Sequence, residues 1–295
     1  MGSGTWMNSS DPPRSCLHQM TVILAGHGAG DGSEANRRHL ELAEALRARR
    51  PGVRFGCAFW KGTPSFVEAA RSLRGQGPVV VPVMASSGYY ARRRLPEEWA
   101  KGDPSRSFVI APPVGTLPAF PHVVANKVGE AVTGMRRRGL NPVVLLVGHG
   151  TTRVRSSGDV ARWVRDELAL AFPQIEILTA FLDESPHVAD VAGLLRGVPV
   201  VAAPLLMGGG PHVDVDIARA LTEPRPFSGL GCVTETLNIL PPILEWPELA
   251  SLTLDSLTHP RSNRGGGGQV RLPGSTYVPL RAGLPSAHSP LQSPS

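Results

Sequence analysis

Three residues of metal-binding type occupy three similar places in this chain. His149 closes the aliphatic run Val-Val-Leu-Leu-Val-Gly-His-Gly. Glu184 sits in Asp-Glu-Ser-Pro-His after a second run, and His212 follows a Gly-rich turn after a third. Two imidazoles and one carboxylate converging on a cleft suit a borderline divalent cation such as Fe²⁺, Co²⁺ or Ni²⁺, with coordination positions left open for a substrate. His187, Asp214 and Asp216 are candidate outer partners, because a metal-bound imidazole needs an acceptor on its other nitrogen. The glycines of the turn, Gly209 and Gly210 among them, let backbone approach a large flat ligand closely.

These residues can converge only if the runs carrying them lie side by side. Each run is short and continuously apolar, and the first is followed by helical spacing at Val160, Val164 and Leu168. Apolar strands alternating with helices predict an α/β fold whose parallel sheet is covered on both faces. Ligands of such sheets bind at the carboxyl ends of the strands, where Gly-His-Gly and Pro-Leu-Leu-Met-Gly-Gly-Gly both stand.

The whole pattern occurs twice. Thr-Val-Ile-Leu-Ala-Gly-His-Gly at 21–28 returns at 143–150, so that His27 answers His149 at an offset of 122 residues. The same offset pairs Pro51 with Pro173, Phe59 with Phe181, Pro64 with Pro186 and Pro82 with Pro204, without a gap over 22–95. Shared residues at the same strand ends and turns identify a tandem duplication. The expected architecture is two copies of a parallel-sheet α/β sandwich domain facing a shared cleft. A leader occupies 1–20, the first copy 21–140 and the second 141–250. A disordered tail rich in Gly, Pro, Ser and Arg is expected over 251–295.

The copies are chemically unequal. Gly62 stands where the second copy has Glu184, and Tyr90 where it has His212, so that only His27 remains of the three candidate ligands. A metal site is therefore expected in the second copy alone. Tyr89 and Tyr90 can stack on a ligand, and Arg92, Arg93 and Arg94 stand opposite Asp214, Val215 and Asp216. If both copies face one cleft, the first supplies cations and the second metal ligands.

Bulk properties narrow the classes. The chain has 295 residues, 41% of them hydrophobic, which is enough for two cores. Its longest apolar runs are under half of the roughly 20 residues that a membrane-spanning helix needs. Three isolated cysteines, Cys16, Cys57 and Cys232, form no CxxC pair, which fits a reducing cytoplasm. The net charge of +6 is dispersed or in short runs, a pattern suited to an acidic small molecule rather than to nucleic acid. A P-loop, a GxSxG elbow and a phosphatase Arg before the histidine are all missing, which disfavours phosphoryl or acyl transfer.

The segments Gly148-His149-Gly150, Glu184-Ser185-Pro186, and Pro204 through His212 to Asp216-Ile217 resemble those of the CbiX and SirB group of class II tetrapyrrole chelatases. The resemblance spans residues 21 to about 250. It implies two α/β domains enclosing a macrocycle and insertion of Co²⁺ or Fe²⁺ into sirohydrochlorin or a related tetrapyrrole, as in cobalamin or siroheme biosynthesis. His149, Glu184 and His212 would then bind the metal and accept pyrrole protons. The metal is a substrate, and no permanently bound cofactor is implied. Arg153 and Arg155, in the loop after His149, join Arg92 and Arg93 as candidates for contacts with the eight carboxyl groups of sirohydrochlorin. The degenerate first copy leaves open a second reading, a metal or tetrapyrrole carrier without turnover.

Overall fold

A computed structural model describes residues 20–151, 156–208, 216–222 and 236–258. The first half runs β1 (Thr21–Gly26), α1 (Glu34–Arg49), β2 (Arg54–Phe59), α2 (Phe66–Ser72), β3 (Val79–Pro82), α3 (Leu95–Gly102), β4 (Val109–Ile110) and α4 (Phe120–Arg136). The second repeats it as β5 (Val143–Gly148), α5 (Ser156–Ala171), β6 (Ile177–Phe181), α6 (Val188–Ala192), β7 (Val200–Pro204), α7 (Ile217–Thr222), β8 (Leu237–Ile239) and α8 (Leu249–Leu257). Each half forms a four-stranded sheet in the order β2-β1-β3-β4 or β6-β5-β7-β8, with all pairs parallel. β1 and β5 are central, and every residue of both is buried. That burial on both faces explains their unbroken apolar sequence.

The register of the duplication is visible in the hydrogen bonds. Phe59 N donates to Pro64 O as Phe181 N does to Pro186 O, Lys61 N to His27 O as Asp183 N to His149 O, and Val83 N to Ala25 O as Leu205 N to Val147 O. Local signals start the helices. Ser33 accepts from Asn36 N at the head of α1, and Ser65 and Glu68 form a reciprocal capping box on α2.

Three apolar layers result. Ile23, Ala25 and Val80 pack beneath α2 and α3 with Phe66, Leu95 and Trp99. Val143, Leu145 and Val147 pack beneath α6 and α7 with Val188, Ile217 and Leu221. The opposite sheet faces, Val22 and Leu24 of one and Val144 and Leu146 of the other, belong to one continuous central core.

The last helix of each half crosses to the other half. α4 packs against α5 and β7 of the second sheet, and Gly129 on α4 passes so close to Phe172 that an added Cβ would lie 3.3 Å from the ring. In return, α8 packs against α1 and β3 of the first sheet, and Ser256 Oγ donates to Pro112 O at 2.6 Å. One expectation is corrected here. The chain does not leave the fold at residue 250, because Leu252, Thr253 and Ser256 are buried in α8. The first copy also leans on the second, which covers the apolar face of α4. β4 and β8 were not foreseen, being only two and three residues long.

Two titratable groups beside the first sheet, His39 and Cys57, are held in their neutral forms. His39 of α1 is buried edge-on against Phe59, with Nδ1 2.7 Å from Ala35 O, and burial holds its pKa below the ordinary imidazole value. Cys57 donates to His39 O, and burial pushes its thiol up to about 12.

Candidate functional site

The carboxyl end of the second sheet carries the candidate chemistry. β5 ends at Gly148, so His149 emerges from the central strand with 58% of its side chain exposed. Gly150 then turns the chain at φ +70°. A Cβ there would lie 2.5 Å from Glu184 Cβ and 2.9 Å from Phe181 Cβ, so only glycine lets the loop pass the end of β6.

His149 Nδ1 lies 3.2 Å from Gly150 O and 3.3 Å from Asp183 Oδ2. Both neighbours accept, which favours the tautomer with the proton on Nδ1 and leaves Nε2 as the lone-pair nitrogen. An acceptor on Nδ1 fixes the orientation of the ring, as it does for metal-binding imidazoles. Asp183 itself is 63% exposed.

Glu184 does something else. Its carboxylate is ion-paired to Arg162 of α5 and accepts from Thr151 N at 3.3 Å, with only 16% of its side chain exposed. Arg162 also lies over the Phe181 ring, 4.9 Å from its centroid, and reaches Asp159. Glu184 thereby fastens the loop after His149 to α5. The exposed carboxylate beside His149 is Asp183, a residue that sequence reasoning passed over. The signal was available: its counterpart in the first copy is Lys61, a reversal of charge at the same strand end.

His187 precedes α6, with Nδ1 3.3 Å from Leu182 O. It lines a cavity of about 530 Å³ together with Asp183, Asp190 and Asp216. Of the other expected site residues, Arg153, Arg155, Gly209, Gly210, His212 and the outer partner Asp214 lie outside the described residues. Among the described residues, no three His, Cys, Asp or Glu side chains stand close enough together to hold a metal ion. His149 and Glu184 therefore share the loop between them but do not form a ligand cluster by themselves.

The first sheet ends differently. His27 Nδ1 lies 2.9 Å from Gly28 O, which repeats the His149 geometry, but its ring meets Tyr90 edge-on at 4.6 Å. A wide helical turn over Tyr90–Arg94 places Tyr90 there and carries Arg92 and Arg93 on the same segment. Arg92 Nε donates to Ser87 Oγ, and Arg93 pairs with Glu97.

The CbiX family model matches the chain twice, over residues 21–131 and 143–257. A Halobacterium salinarum protein described as a probable sirohydrochlorin cobaltochelatase is 26% identical over 218 residues, covering 66% of this chain and 74% of that protein. Two solved structures share the fold. One is the CbiX described as the terminal enzyme for siroheme biosynthesis in denitrifying bacteria (TM-score 0.61, 22% identity, 81% of this chain and 98% of that one). The other is SirB from Bacillus subtilis with Fe³⁺ (TM-score 0.64, 18% identity, 81% and 94%).

Proposed function

The chain belongs to the CbiX family, and we propose that it is a chelatase inserting Co²⁺ or Fe²⁺ into sirohydrochlorin or a closely related tetrapyrrole. The observation that carries this reading is the exposed His149–Asp183 pair at the end of the central strand, in a chain whose two halves both match the family. Insertion exchanges two pyrrole N–H protons for one divalent ion, so the site must deliver a cation and take up protons. A neutral imidazole can do both near pH 7. In this reading His149 Nε2 handles the metal and then a proton, while Asp183 steadies the charge that appears on the ring.

His212 is the proposed second imidazole. Glu184 holds the loop and is the proposed carboxylate ligand. The cations proposed to meet the carboxylates of the macrocycle are Arg92, Arg93, Arg153 and Arg155, with Tyr90, Gly209 and Gly210 against its plane. The metal is a substrate, and the reading assigns no resident cofactor, no nucleic-acid partner and no membrane. Among the described residues no helix is long and apolar enough to cross a bilayer. A buried free thiol at Cys57 suits the reducing cytoplasm proposed as its compartment.

Ultraviolet-visible spectroscopy of sirohydrochlorin with Co²⁺ or Fe²⁺ tests the proposal. The expected result is metal insertion faster than the uncatalysed rate, lost in His149→Ala and His212→Ala. Tight binding without acceleration would convert the reading to a carrier.

A further inference from the structure

The two halves carry opposite charge. Residues 21–140 hold eighteen Lys and Arg against nine Asp and Glu, and residues 141–258 hold seven against fourteen. Part of the first half's excess stands at the pole away from the His27 and His149 loops. In a parallel sheet all strands begin at the same end, so the turns leading into β2, β3 and β4 share that pole. They carry Arg50 and Arg54 at the start of β2, Arg74 before β3 and Arg106 before β4, all exposed. Arg54 Nη2 donates to Gln76 Oε1 at 3.3 Å. Arg74 donates to Gly102 O through Nε at 3.3 Å and Nη2 at 2.9 Å, so the three turns are tied into one surface.

Among the described residues these four guanidinium groups form no ion pair, whereas the neighbouring Arg47 pairs with Glu44. The carboxylate of these turns, Asp103, is buried and accepts from the hydroxyls of Ser105 and Ser107. Cations at helix ends commonly offset the helix dipole, but the second half folds in the same way without most of them. At the same register it has Phe172 for Arg50 and Glu176 for Arg54, and it keeps Arg196 for Arg74. Its helices α5 and α6 end without a cation in the last turn. A requirement of the fold would show in both halves, so the cationic pole is particular to the first.

We infer that this pole docks an acidic segment of a partner protein. Guanidinium groups pair with carboxylates through two parallel hydrogen bonds. The bonds to Gln76 and Gly102 hold two of the four in place, which lowers the ordering cost of binding. From β2 to β4 the edge measures about 14 Å, three strand spacings, and an extended run of about five residues spans it. Among the described residues these turns present no exposed large apolar or aromatic side chain, the anchor that a bilayer surface or single-stranded nucleic acid would engage. An extended polyanion such as a duplex or a membrane would also meet the net negative second half, whereas a short acidic segment need not. A partner held here leaves the His27 and His149 loops open, and the inference does not depend on the chelatase reading.

The test is fluorescence anisotropy of a labelled deca-glutamate peptide titrated with the intact protein, at low and at physiological ionic strength. The parent should bind the peptide and lose affinity as salt rises. Arg54→Glu installs the residue that the second half carries at this register, and it should raise Kd about tenfold at low salt. Arg165→Glu makes the same change of net charge on α5 of the second half, and it should stay within about twofold of the parent. If Arg54→Glu lowers the yield of folded protein, Arg106→Glu carries the same test. Parent-like binding by Arg54→Glu, equal weakening by Arg165→Glu, or absence of binding by the parent overturns the inference. A short DNA duplex, or vesicles of phosphatidylglycerol in phosphatidylcholine, serve as competitors. Displacement of the peptide by either at a lower concentration of negative charge than unlabelled peptide requires would give the pole to nucleic acid or lipid, and would overturn the inference as well.

Discussion

At the scale of single residues, two neighbouring carboxylates have divided their work. Asp183 faces solvent beside the His149 imidazole, and Glu184 turns inward to Arg162 and the Thr151 amide. The substitutions Asp183→Asn and Glu184→Gln should therefore fail differently. Removing the charge behind a working imidazole typically costs 10–100-fold in affinity or rate, so Asp183→Asn should slow metal insertion by about that factor. Its melting temperature should stay close to the parent's, since an exposed carboxylate holds little of the fold. Glu184→Gln should cost about 1 kcal/mol of stability, near the top of the range for partly exposed ion pairs, and lower the melting temperature by roughly 2–4 °C. Initial rates and thermal melts of the two variants decide the matter, and the reverse pattern would return the metal-side role to Glu184. Spacing along the chain drew attention to Glu184 through its Glu-Ser-Pro motif. Its ion pair with Arg162 spans 22 residues, a separation that no local pattern reports.

At the scale of elements, the loop that presents His149 depends on one backbone conformation. Gly150→Ala would place a non-glycine residue at φ +70° and drive its Cβ into Glu184. The conformation alone costs of order 1–3 kcal/mol, and the overlap adds to it. Gly134 in α4 is the opposite case, for a Cβ there meets nothing within 4 Å. Gly134→Ala should stabilise by about 0.5–1 kcal/mol through helix propensity. Chemical denaturation of both variants should shift the midpoint in opposite directions, and a neutral Gly150→Ala would refute the tight-loop account. The strands and helices up to β3 and β7 were readable because each is either continuously apolar or helically spaced. β4 and β8 were not, because two or three residues make no periodic run. α6 stops at Ala192, where Gly193 follows and weakens the helix.

At the scale of the molecule, the duplication did not produce two independent bodies. A parallel sheet must be covered on both faces, and among the described residues each half keeps three α-helices with its own sheet. The fourth, α4 or α8, is lent to the other sheet, and the central core draws on both halves. The repeat in sequence did not reveal this exchange, because nothing in a local pattern says which sheet a terminal helix will cover. Phe120, Val124, Val128 and Val132 of α4 are almost fully buried. At roughly 1.5–3 kcal/mol for each such side chain, they represent about as much free energy as the net stability of a whole domain. A fragment of residues 20–140 would expose that face of α4 and would lack Leu249 and Leu252 of α8 over its own sheet. It should therefore remain non-cooperative in thermal melts followed by circular dichroism, as should the complementary fragment 141–258. Co-expression of the two should restore one sharp transition, because each supplies the helix that the other needs. A first-half fragment that melts cooperatively by itself would show that the exchanged helices are dispensable. Cooperative recovery only on mixing would show that the strand ends carrying His27 and those carrying His149 and Asp183 are held together by the same exchange that completes the fold.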